Sequence, residues 1–353
     1  MNKTYLEVRK DLFLENVKKI ENYISPRKII PVLKANAYGT YLNRDLDCIN
    51  HFDIIALARV DEGIEVRKLG YQKEIFILNQ PALEELEDIY RYQLTIGISL
   101  PEMIDKITQP VKVHLEIETG MNRTGIVLKD LENVIERIKK NPNITVEGIY
   151  THFSSADIDI SYTEKQIQIF QEAVSLVKKE FPLIYIHSSA SSGLLNYKDN
   201  VSNYTRPGIL LYGYEPFPMA KNLIPVEPIT ELVTEITFLK DVEENTPISY
   251  NQTYLTKSKT KIATIPIGYA DGFRRILSNH QEVFVNGKRC PVIGNICMDS
   301  CMIDVTGIDC KVGDKVILWD NQNITLEEIS KNSNTISYEI LSTISERIHR
   351  IIK

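Results

Sequence analysis

The sequence predicts an α/β protein made of a (β/α)8 TIM barrel followed by a mainly-β C-terminal domain. Between about residues 28 and 213, eight short apolar runs alternate with helix-like stretches. After about Pro216 the apolar runs become short, often alternate with polar residues and are separated by turn signals. An open doubly wound sheet is the alternative for the first part, and no dinucleotide-type glycine fingerprint follows the first strand to support it.

The eight apolar runs have the composition and length of buried parallel strands. They are residues 29–34, 54–60, 75–78, 94–98, 111–117, 144–152, 184–189 and one run within 204–212. Between them lie amphipathic segments such as 61–69 and 163–181, in which apolar residues recur at helical spacing. Strand and helix therefore alternate as a closed parallel barrel requires.

The second part reads as β-strands at residues 229–239, 260–267, 281–285, 290–296 and 315–319, with turn signals at 286–287 and 312–314. Helices are predicted near 325–333 and 338–344, where they close the chain. Four prolines (Pro216, Pro218, Pro225 and Pro228) place the boundary within 214–232. We predict a cofactor-binding barrel over residues 1–222, with its first few residues as candidates for the β domain, and a β-rich domain over 223–353.

Bulk composition favours a cytoplasmic enzyme. The 353 residues are 43% hydrophobic and 25% charged, and the net charge of −6 disfavours nucleic-acid and anionic-membrane partners. The sequence shows no apolar run of membrane-spanning length and no signal-peptide core. Among the five cysteines, Cys297 and Cys301 are spaced four apart in a stretch that alternates like a strand, so reduced buried thiols and no metal site are expected.

Several chemistry-bearing residues follow strands at the end where barrel enzymes carry their active sites. They are Lys34 after the first strand, Arg123 after the fifth, His152 after the sixth, the serine-rich stretch 189–192 after the seventh and Arg206 in the last strand region. A poorly solvated lysine has a lowered pKa and a nucleophilic amine. Each residue alone also fits a surface lysine, a capping ion pair or a satisfied histidine, but their convergence at one end favours a site.

The charges at this end suit an anionic ligand. Pro207 is suited to the first turn of a short helix, whose free N–H groups would point at an anion. Many barrels bind phosphate after strands seven and eight. Phosphate together with an amine-reactive lysine predicts pyridoxal 5'-phosphate, held by Lys34 as a Schiff base.

Over essentially its whole length the chain resembles the bacterial alanine racemases. The matching stretches are VLKANAYG (32–39), TGMNRTG (119–125), YTHF (150–153), RPGI (206–209), SY (249–250), IGYADG (267–272) and GNICMD (294–299). The family fold, a cofactor barrel followed by a β domain, agrees with the fold predicted above.

The resemblance implies two catalytic bases. Lys34 is similar to the lysine that binds the cofactor and serves as the base on one face of the substrate. Tyr250 is similar to the base on the opposite face, contributed by the partner subunit of a homodimer with shared active sites. His152 matches a residue of the cofactor site that lies near this tyrosine and tunes its protonation. Two opposed bases suit racemisation, because one removes the α-proton and the other returns a proton from behind.

Further roles are implied in the same way. Arg206 matches an arginine facing the pyridine nitrogen, where a permanent cation discourages ring protonation and weakens the electron sink; His187 matches its supporting partner. Arg123 matches the arginine that contacts the cofactor's phenolic oxygen and the substrate carboxylate, and Met298, from the other subunit, matches a second carboxylate contact. The phosphate-binding positions are Tyr38, Ser191, Gly208, Ile209 and Tyr338; the access-channel positions are Asp157, Tyr269 and Arg275; Asp299 is a supporting residue.

The chain departs from the family at several positions. Glu116 stands where the family usually has lysine, which in several members is carbamylated and positions the arginine matching Arg123. We hypothesise that Glu116 supplies this negative charge directly. Other departures are Asn295 for arginine, Asn251 for glycine, Ala190 for asparagine, and 347–350 for a common Arg-Val-Pro-Arg.

The resemblance therefore implies racemisation of a small amino acid, L- and D-alanine, to supply D-alanine for peptidoglycan. A serine or serine/alanine racemase domain of a glycopeptide-resistance system is the alternative; a described serine-selective type has asparagine at the position of Tyr338, so the tyrosine favours alanine. A decarboxylase on the same two-domain plan is disfavoured by Arg206. A single-barrel cofactor-binding protein is disfavoured by the β domain and Tyr250.

Overall fold

The computed structural model describes residues 4–197, 200–217, 220 and 223–353. Pro218 and the predicted domain boundary after residue 222 lie outside the described residues. The chain divides into two compact units. The unit that we call the β unit comprises Met1–Phe13, Tyr38–Tyr41 and Glu227–Lys353, and the barrel unit comprises Leu14–Ala37 and Leu42–Val226.

The described helices and strands follow one another along the chain with short connections. The helices are α1 (Lys10–Ile24), α2 (Lys34–Tyr38), α3 (Leu46–Ile49), α4 (Val60–Lys68), α5 (Leu86–Tyr92), α6 (Leu131–Lys139), α7 (Ile160–Val177), α8 (Ser191–Asn196), α9 (Leu326–Asn332) and α10 (Ser337–Ser342). The strands are β1 (Tyr5–Val8), β2 (Lys28–Ile29), β3 (Ile54–Leu57), β4 (Glu74–Ile77), β5 (Thr95–Ile98), β6 (Val111–Glu118), β7 (Ile126–Val127), β8 (Ile144–Tyr150), β9 (Tyr185–Ala190), β10 (Tyr204–Arg206), β11 (Thr230–Glu235), β12 (Phe238–Val242), β13 (Pro247–Ile248), β14 (Tyr254–Leu255), β15 (Thr260–Ile265), β16 (Glu282–Val285), β17 (Lys288–Ile293), β18 (Cys301–Asp304), β19 (Lys315–Trp319) and β20 (His349–Ile352). Short 3-10 turns lie between several of them, including Ile209–Tyr212 and Tyr250–Gln252.

The barrel unit is built on a parallel sheet in the order β2-β10-β9-β8-β6-β5-β4-β3. A parallel bridge between Val32 and Ala56 joins the segment after β2 to β3, at the two ends of that order, so the sheet closes on itself. Every residue of β3 and β5 is buried, as expected for barrel strands packed on both faces. The eight predicted strands are all present and the predicted (β/α)8 barrel is confirmed.

A buried charge cluster lies toward the N-terminal ends of these strands. Glu74 and Glu147 have side chains only 14% and 11% exposed, and both face Lys112, at 3.8 and 2.9 Å. Burial and the neighbouring Glu147 raise the pKa of Glu74, whereas Lys112 lowers it. Hydroxyl groups of Thr95 and Tyr185 donate to Glu74 at 3.0 and 3.1 Å. One cation therefore compensates two nearly buried carboxylates.

Replacing this cation should destabilise the barrel. We expect Lys112→Ala to lower the free energy of unfolding near pH 7 by about 1–3 kcal/mol, less than for a fully buried pair because Lys112 is half exposed. A carboxyl whose folded pKa is raised takes up a proton as the pH falls, so the loss should shrink toward pH 5. Urea unfolding of both proteins at the two pH values measures this.

The matched control is Lys139→Ala. Lys139 also pairs with two carboxylates, Glu136 at 3.2 Å and Glu180 at 3.0 Å, but both are well exposed. Its loss should cost much less stability than the loss of Lys112, because water and salt screen exposed ion pairs. Equal losses for Lys112→Ala and Lys139→Ala, or a Lys112→Ala loss that grows on acidification, would contradict the prediction.

The β unit contains a second sheet in the order β12-β15-β18-β17-β16-β19-β11-β1-β20. β1 pairs antiparallel with β11 and parallel with β20. The two helices predicted near the end of the chain are present as α9 and α10. They do not close the chain, because β20 follows them and finds its partner near the opposite terminus, a pairing that no local pattern reveals.

Two further strand predictions need correction. The predicted strand 229–239 is two strands, β11 and β12, interrupted at Ile236 and Thr237. The stretch 296–304 is a strand only from Cys301 onward, so Cys297 lies in the preceding loop, where its backbone N–H donates to the carbonyl of Ser300 at 2.9 Å. Among the helices that the structure describes, none is long and apolar enough to cross a membrane.

Candidate active site

Lys34 begins an unusual turn at the C-terminal end of the barrel. The sequence predicted Lys34 as the last residue of the first barrel strand, and this is wrong. β2 ends at Ile29, and only a single bridge at Val32 continues the pairing. Ala35, Asn36 and Ala37 then adopt left-handed backbone angles (φ 54, 54 and 52°), and the next residue, Tyr38, has a φ of 55°. Each non-glycine residue in this conformation costs about 1–2 kcal/mol. Strained backbone of this kind is concentrated at functional sites.

The amine of Lys34 is set apart by its surroundings. The side chain is half-buried, and its Nζ makes no hydrogen bond or ion pair with the residues that the structure describes. Burial and the cation of Arg123 lower the pKa of Lys34; the Glu62 carboxylate opposes this, and Arg206 adds to it. The neutral amine, which acts as nucleophile and base, is therefore favoured more than in an ordinary lysine.

Arg206 is held inside the barrel by protein acceptors. Its Nη1 donates to the Nδ1 and carbonyl oxygen of His187, at 2.8 and 2.6 Å, and its Nη2 to the carbonyls of Thr151 and Ser188, at 2.6 and 3.2 Å. Its Nε–H donates to none of the described residues. Burial lowers the pKa of Arg206 to about 10, so the group stays a cation at neutral pH. One fixed donor thus remains for an acceptor in the site.

The hydrogen bond between Arg206 and His187 continues to a second histidine. Because arginine can only donate, His187 Nδ1 accepts, so the His187 proton is on Nε2, 3.0 Å from the accepting Nδ1 of His114. Burial and Arg206 lower the pKa of both rings, that of His114 to about 3, so both are neutral. Gly148 makes room for His114, since a Cβ there would come within 2.5 Å of its ring. His114 was not predicted from the sequence.

Arg123 is exposed in the loop after β6 and forms no ion pair among the described residues. Glu116 is buried and accepts hydrogen bonds from the Ser99 hydroxyl and from that of Thr124, the latter at 3.0 Å. Among the residues that the structure describes, Glu116 and Arg123 form no ion pair within 4.0 Å. Glu116 therefore reaches the arginine's loop through the neighbouring Thr124, and its proposed electrostatic role stays a prediction.

Gln166, on α7, joins two strand-end loops and was also missed. It is fully buried, and its Nε2 donates to Thr119 Oγ1 at 3.0 Å and to the His152 carbonyl at 3.3 Å. Its Oε1 accepts the N–H of Ser154 at 3.0 Å. The loop that carries Arg123 is thereby tied to the segment that carries His152. Burial, with the nearby cations, lowers the pKa of His152 to about 3, so this histidine is neutral.

The end of β10 forms a small polar cradle. Ser191 Oγ accepts the N–H groups of Gly208 and Leu210, at 3.0 and 3.5 Å, which leaves its own proton free to donate elsewhere. The short helix here is the 3-10 turn Ile209–Tyr212, and Pro207 lies before it, not in its first turn as predicted. The reason is that the Pro207 carbonyl accepts the N–H of Val32 at 3.0 Å and so extends the pairing of β10.

The β unit holds the remaining candidates. Tyr38 is buried and its ring centre lies 6.2 Å from that of Tyr338. Tyr250 and Met298 are large side chains that are 68% and 52% exposed. Asp299 pairs with Arg347 at 2.7 Å.

Tyr250 lies on a turn with three non-glycine residues at positive φ: Ser249, Asn251 and Gln252. Asn295 Nδ2 donates to the Tyr250 carbonyl at 2.7 Å, and Ser249 Oγ donates to the Asn295 carbonyl at 2.5 Å. Both hydrogen bonds involve Asn295, a position where the chain departs from the family.

The access-channel candidates are exposed: Tyr269 and Arg275 in the β unit, and Asp157 in the barrel unit. Their channel role stays a prediction. Among the described residues, no cluster of three or more His, Cys, Asp or Glu is arranged to hold a metal ion.

The (β/α)8 barrel thus carries a lysine amine that has no partner among the described residues and a pKa lowered by burial and two arginines. Such a group at the C-terminal end of the barrel strands is typical of a barrel enzyme. Family models for the alanine racemase N-terminal and C-terminal domains match residues 8–216 and 229–352. The chain therefore belongs to the alanine racemase family and is an enzyme of the amino-acid racemase type.

Individual relatives agree. The chain is 36% identical to alanine racemase 2 of Caldanaerobacter subterraneus subsp. tengcongensis, over 99% of the chain and 94% of the relative. It is 38% identical to the alanine racemase of Halothermothrix orenii, over 92% and 90%. Among solved structures, the alanine racemase of Clostridium difficile 630 superimposes with a TM-score of 0.94 at 34% identity, covering 100% and 96% of the two chains. The predicted family resemblance is confirmed.

Proposed function

We propose that this chain interconverts L- and D-alanine with pyridoxal 5'-phosphate, using Lys34 and Tyr250 as opposed bases, and supplies D-alanine for peptidoglycan in the cytoplasm. The observation that carries the proposal is the Lys34 amine, which has no partner among the described residues and has a pKa lowered by burial and two arginines. A neutral amine at the end of a barrel is what covalent attachment and proton removal both need.

The residues present fit this cofactor. Lys34 offers the amine that would hold it, and Arg206 Nε–H is a fixed donor suited to an unprotonated ring nitrogen. The Ser191 hydroxyl and the Ile209 N–H offer donors for a phosphate, and the Gly208 N–H holds that hydroxyl in place by donating to its oxygen. Gly208, Tyr38 and Tyr338 are further phosphate candidates. The cofactor would supply the electrophilic carbon and the electron sink that racemisation requires.

The chain's own groups then have distinct tasks. Arg123, exposed and without an ion pair among the described residues, would bind the substrate carboxylate, which suits a planar guanidinium. Lys34 Nζ would move a proton on one face of the α-carbon and Tyr250 Oη on the other. Arg206 stays charged, so it would keep the ring nitrogen unprotonated. His152, which is neutral, would tune the protonation of Tyr250.

We propose that the active enzyme is a homodimer in which Tyr250 and Met298 complete the active site of the partner subunit. Their exposure is consistent with this, because it leaves both side chains accessible to a second copy of the chain. In this arrangement Asp157, Tyr269 and Arg275 would line the access channel, and Asp299 would support Met298 from the adjoining position. None of the relatives named above favours the serine alternative.

The direct test is chiral chromatography of L-alanine and L-serine incubated with the purified protein and pyridoxal phosphate. D-alanine should form much faster than D-serine. Comparable or faster D-serine would replace the proposed substrate with serine, and no D-product from a cofactor-loaded protein would overturn the proposed chemistry.

The Glu116 hypothesis makes a separate prediction. Because an amide lacks the negative charge and has one acceptor oxygen in place of two, Glu116→Gln should lower kcat/KM for alanine about 10-fold, or about 1.4 kcal/mol. Steady-state kinetics measure the loss. Thr124→Val, which removes one hydrogen bond but keeps the charge, is the control and should have the smaller effect. Unchanged activity and KM in Glu116→Gln would show that the charge is not needed.

A further inference from the structure

The turn that follows Lys34 is anchored by Glu62, a residue outside the sequence motif that carries the lysine. The N–H of Ala35 donates to Glu62 Oε1 at 2.6 Å. The N–H groups of Ala58 and Arg59 donate to Oε2 at 2.8 and 3.1 Å. Both carboxylate oxygens are therefore occupied by backbone donors, and charge-assisted bonds of this kind are the strong ones.

These bonds connect two neighbouring segments of the barrel. Ala35 belongs to the left-handed turn after β2, and Ala58 and Arg59 follow β3, which is bridged to Val32. Glu62 itself is the third residue of α4. A single carboxylate at the start of one helix thus fixes both the strained turn and the loop beside it.

Helix capping alone does not account for this arrangement. A glutamate at the third position of a helix ordinarily returns to the backbone N–H that precedes the helix, and Oε2 of Glu62 does so at Arg59. The other oxygen, Oε1, accepts the N–H of Ala35, which lies 27 residues earlier in the sequence. Because Ala35 immediately follows Lys34, this bond restricts the direction in which the lysine side chain leaves the backbone.

Glu62 also contributes charge at the same place. The charged groups that act on Lys34 include Arg123 and Arg206, which lower its pKa, and Glu62, which raises it. His152 also lies close enough to Lys34 for the lysine to affect its pKa, but it is neutral. The Glu62 carboxylate therefore limits how far the two arginines lower the pKa of Lys34.

We propose that Glu62 is a positioning residue for Lys34. The Glu62 carboxylate holds the left-handed turn in place and supplies a counter-charge to the lysine amine. The inference rests on the proposed role of Lys34. Glu62 touches neither substrate nor cofactor in this proposal; it acts through the turn and through its charge.

The test compares Glu62→Gln with Asp61→Asn. Glutamine has nearly the same shape but one acceptor oxygen, so its NH2 group would face a backbone donor. Asp61 lies in the same turn of α4 and pairs at the surface with Arg59 at 2.6 Å, so Asp61→Asn removes an equal charge without touching Ala35. In the cofactor-free protein of residues 1–353, competitive labelling with acetic anhydride followed by peptide mass spectrometry gives the pKa of Lys34.

Glu62→Gln should lower the labelling pKa of Lys34, and in the cofactor-loaded enzyme it should lower kcat about 10–100-fold with little change in KM. Asp61→Asn should match the unsubstituted chain in both. A Glu62→Gln protein that is less heat-stable but unchanged in Lys34 labelling and in kcat would reduce Glu62 to a helix cap and overturn the inference.

A second variant separates charge from position. Glu62→Asp keeps the charge but is too short to reach both segments, so its kcat should fall as in Glu62→Gln; full activity would overturn the positioning role. Labelling does not depend on racemisation. If the unsubstituted chain forms no D-alanine, the proposed function fails, and the labelling shift still decides whether Glu62 acts on Lys34.

Discussion

Lys34→Ala is expected to lower alanine racemisation by about 10⁴-fold or more, because it removes both the group that would attach the cofactor and one of the two bases. General bases alone contribute about 10²–10⁴-fold, and loss of the covalent attachment adds to this. The measurement is D-alanine formation from L-alanine with added pyridoxal phosphate. Borohydride reduction and mass spectrometry should also find no cofactor bound to the protein.

The fold should survive this change. The backbone bonds of the turn, from Ala35 to Glu62 and from Ala37 to the Leu33 carbonyl at 2.9 Å, do not use the lysine side chain. Circular dichroism melting should therefore be close to that of the unsubstituted chain. The control Lys73→Ala removes an exposed lysine paired with Asp53 and should keep full activity. Retention of a tenth of the activity by Lys34→Ala would contradict its assigned role.

Much of the fold could be predicted because its signals are local. The barrel strands read as continuous apolar runs, and helical spacing separates them. The pairing of β20 with β1 could not be predicted, because its partners lie 344 residues apart, as at Tyr5 and His349. A four-residue strand that is mostly half-exposed has no apolar run from which it could be predicted.

The site shows the same division. Lys34 was predicted because it ends an apolar run, where a charge is conspicuous, and Arg206 because it lies in the last strand region of the barrel. The left-handed turn was not, because Ala35 and Ala37 have no preference for that conformation; only Asn36 tolerates it well. Its conformation depends on Glu62, a long-range contact.

The missed residues share one property: their partners are distant in sequence. In the sequence, Glu62 looks like an ordinary residue of a helix start, Gln166 like an ordinary polar residue of a helix, and His114 like a strand residue. Their roles depend on hydrogen bonds to partners between 12 and 73 residues away. For the fully buried Gln166 such bonds are needed, since an unsatisfied polar group in the core costs about 1–3 kcal/mol. One signal could have been noticed: Gln166 lies four residues before Phe170, so the sequence places a polar side chain in line with the apolar stripe of the helix.

Tyr250→Phe is expected to lower racemisation about 10³-fold but to retain the proton transfer that Lys34 carries out on the other face of the α-carbon. With the phenol gone, no base remains on its face of the α-carbon. Lys34 should still remove and return the α-proton of whichever enantiomer presents it to that side. Incubated in D2O and followed by NMR, one alanine enantiomer should exchange its α-proton without inversion. Lys34→Ala should show neither exchange nor inversion. Full racemisation by Tyr250→Phe would contradict the two-base assignment.

The same two variants decide whether the site is shared between subunits. If Lys34 of one subunit works with Tyr250 of the other, a hybrid of a Lys34→Ala chain and a Tyr250→Phe chain contains one doubly defective site and one intact site. Co-expressed with different tags and purified through both, the hybrid should have about half the activity of the unsubstituted dimer. If both residues of a site come from one chain, each site of the hybrid retains one defect and the activity stays as low as in the parent variants. Because the parents are both nearly inactive, recovery of activity could arise only from a site built by two chains.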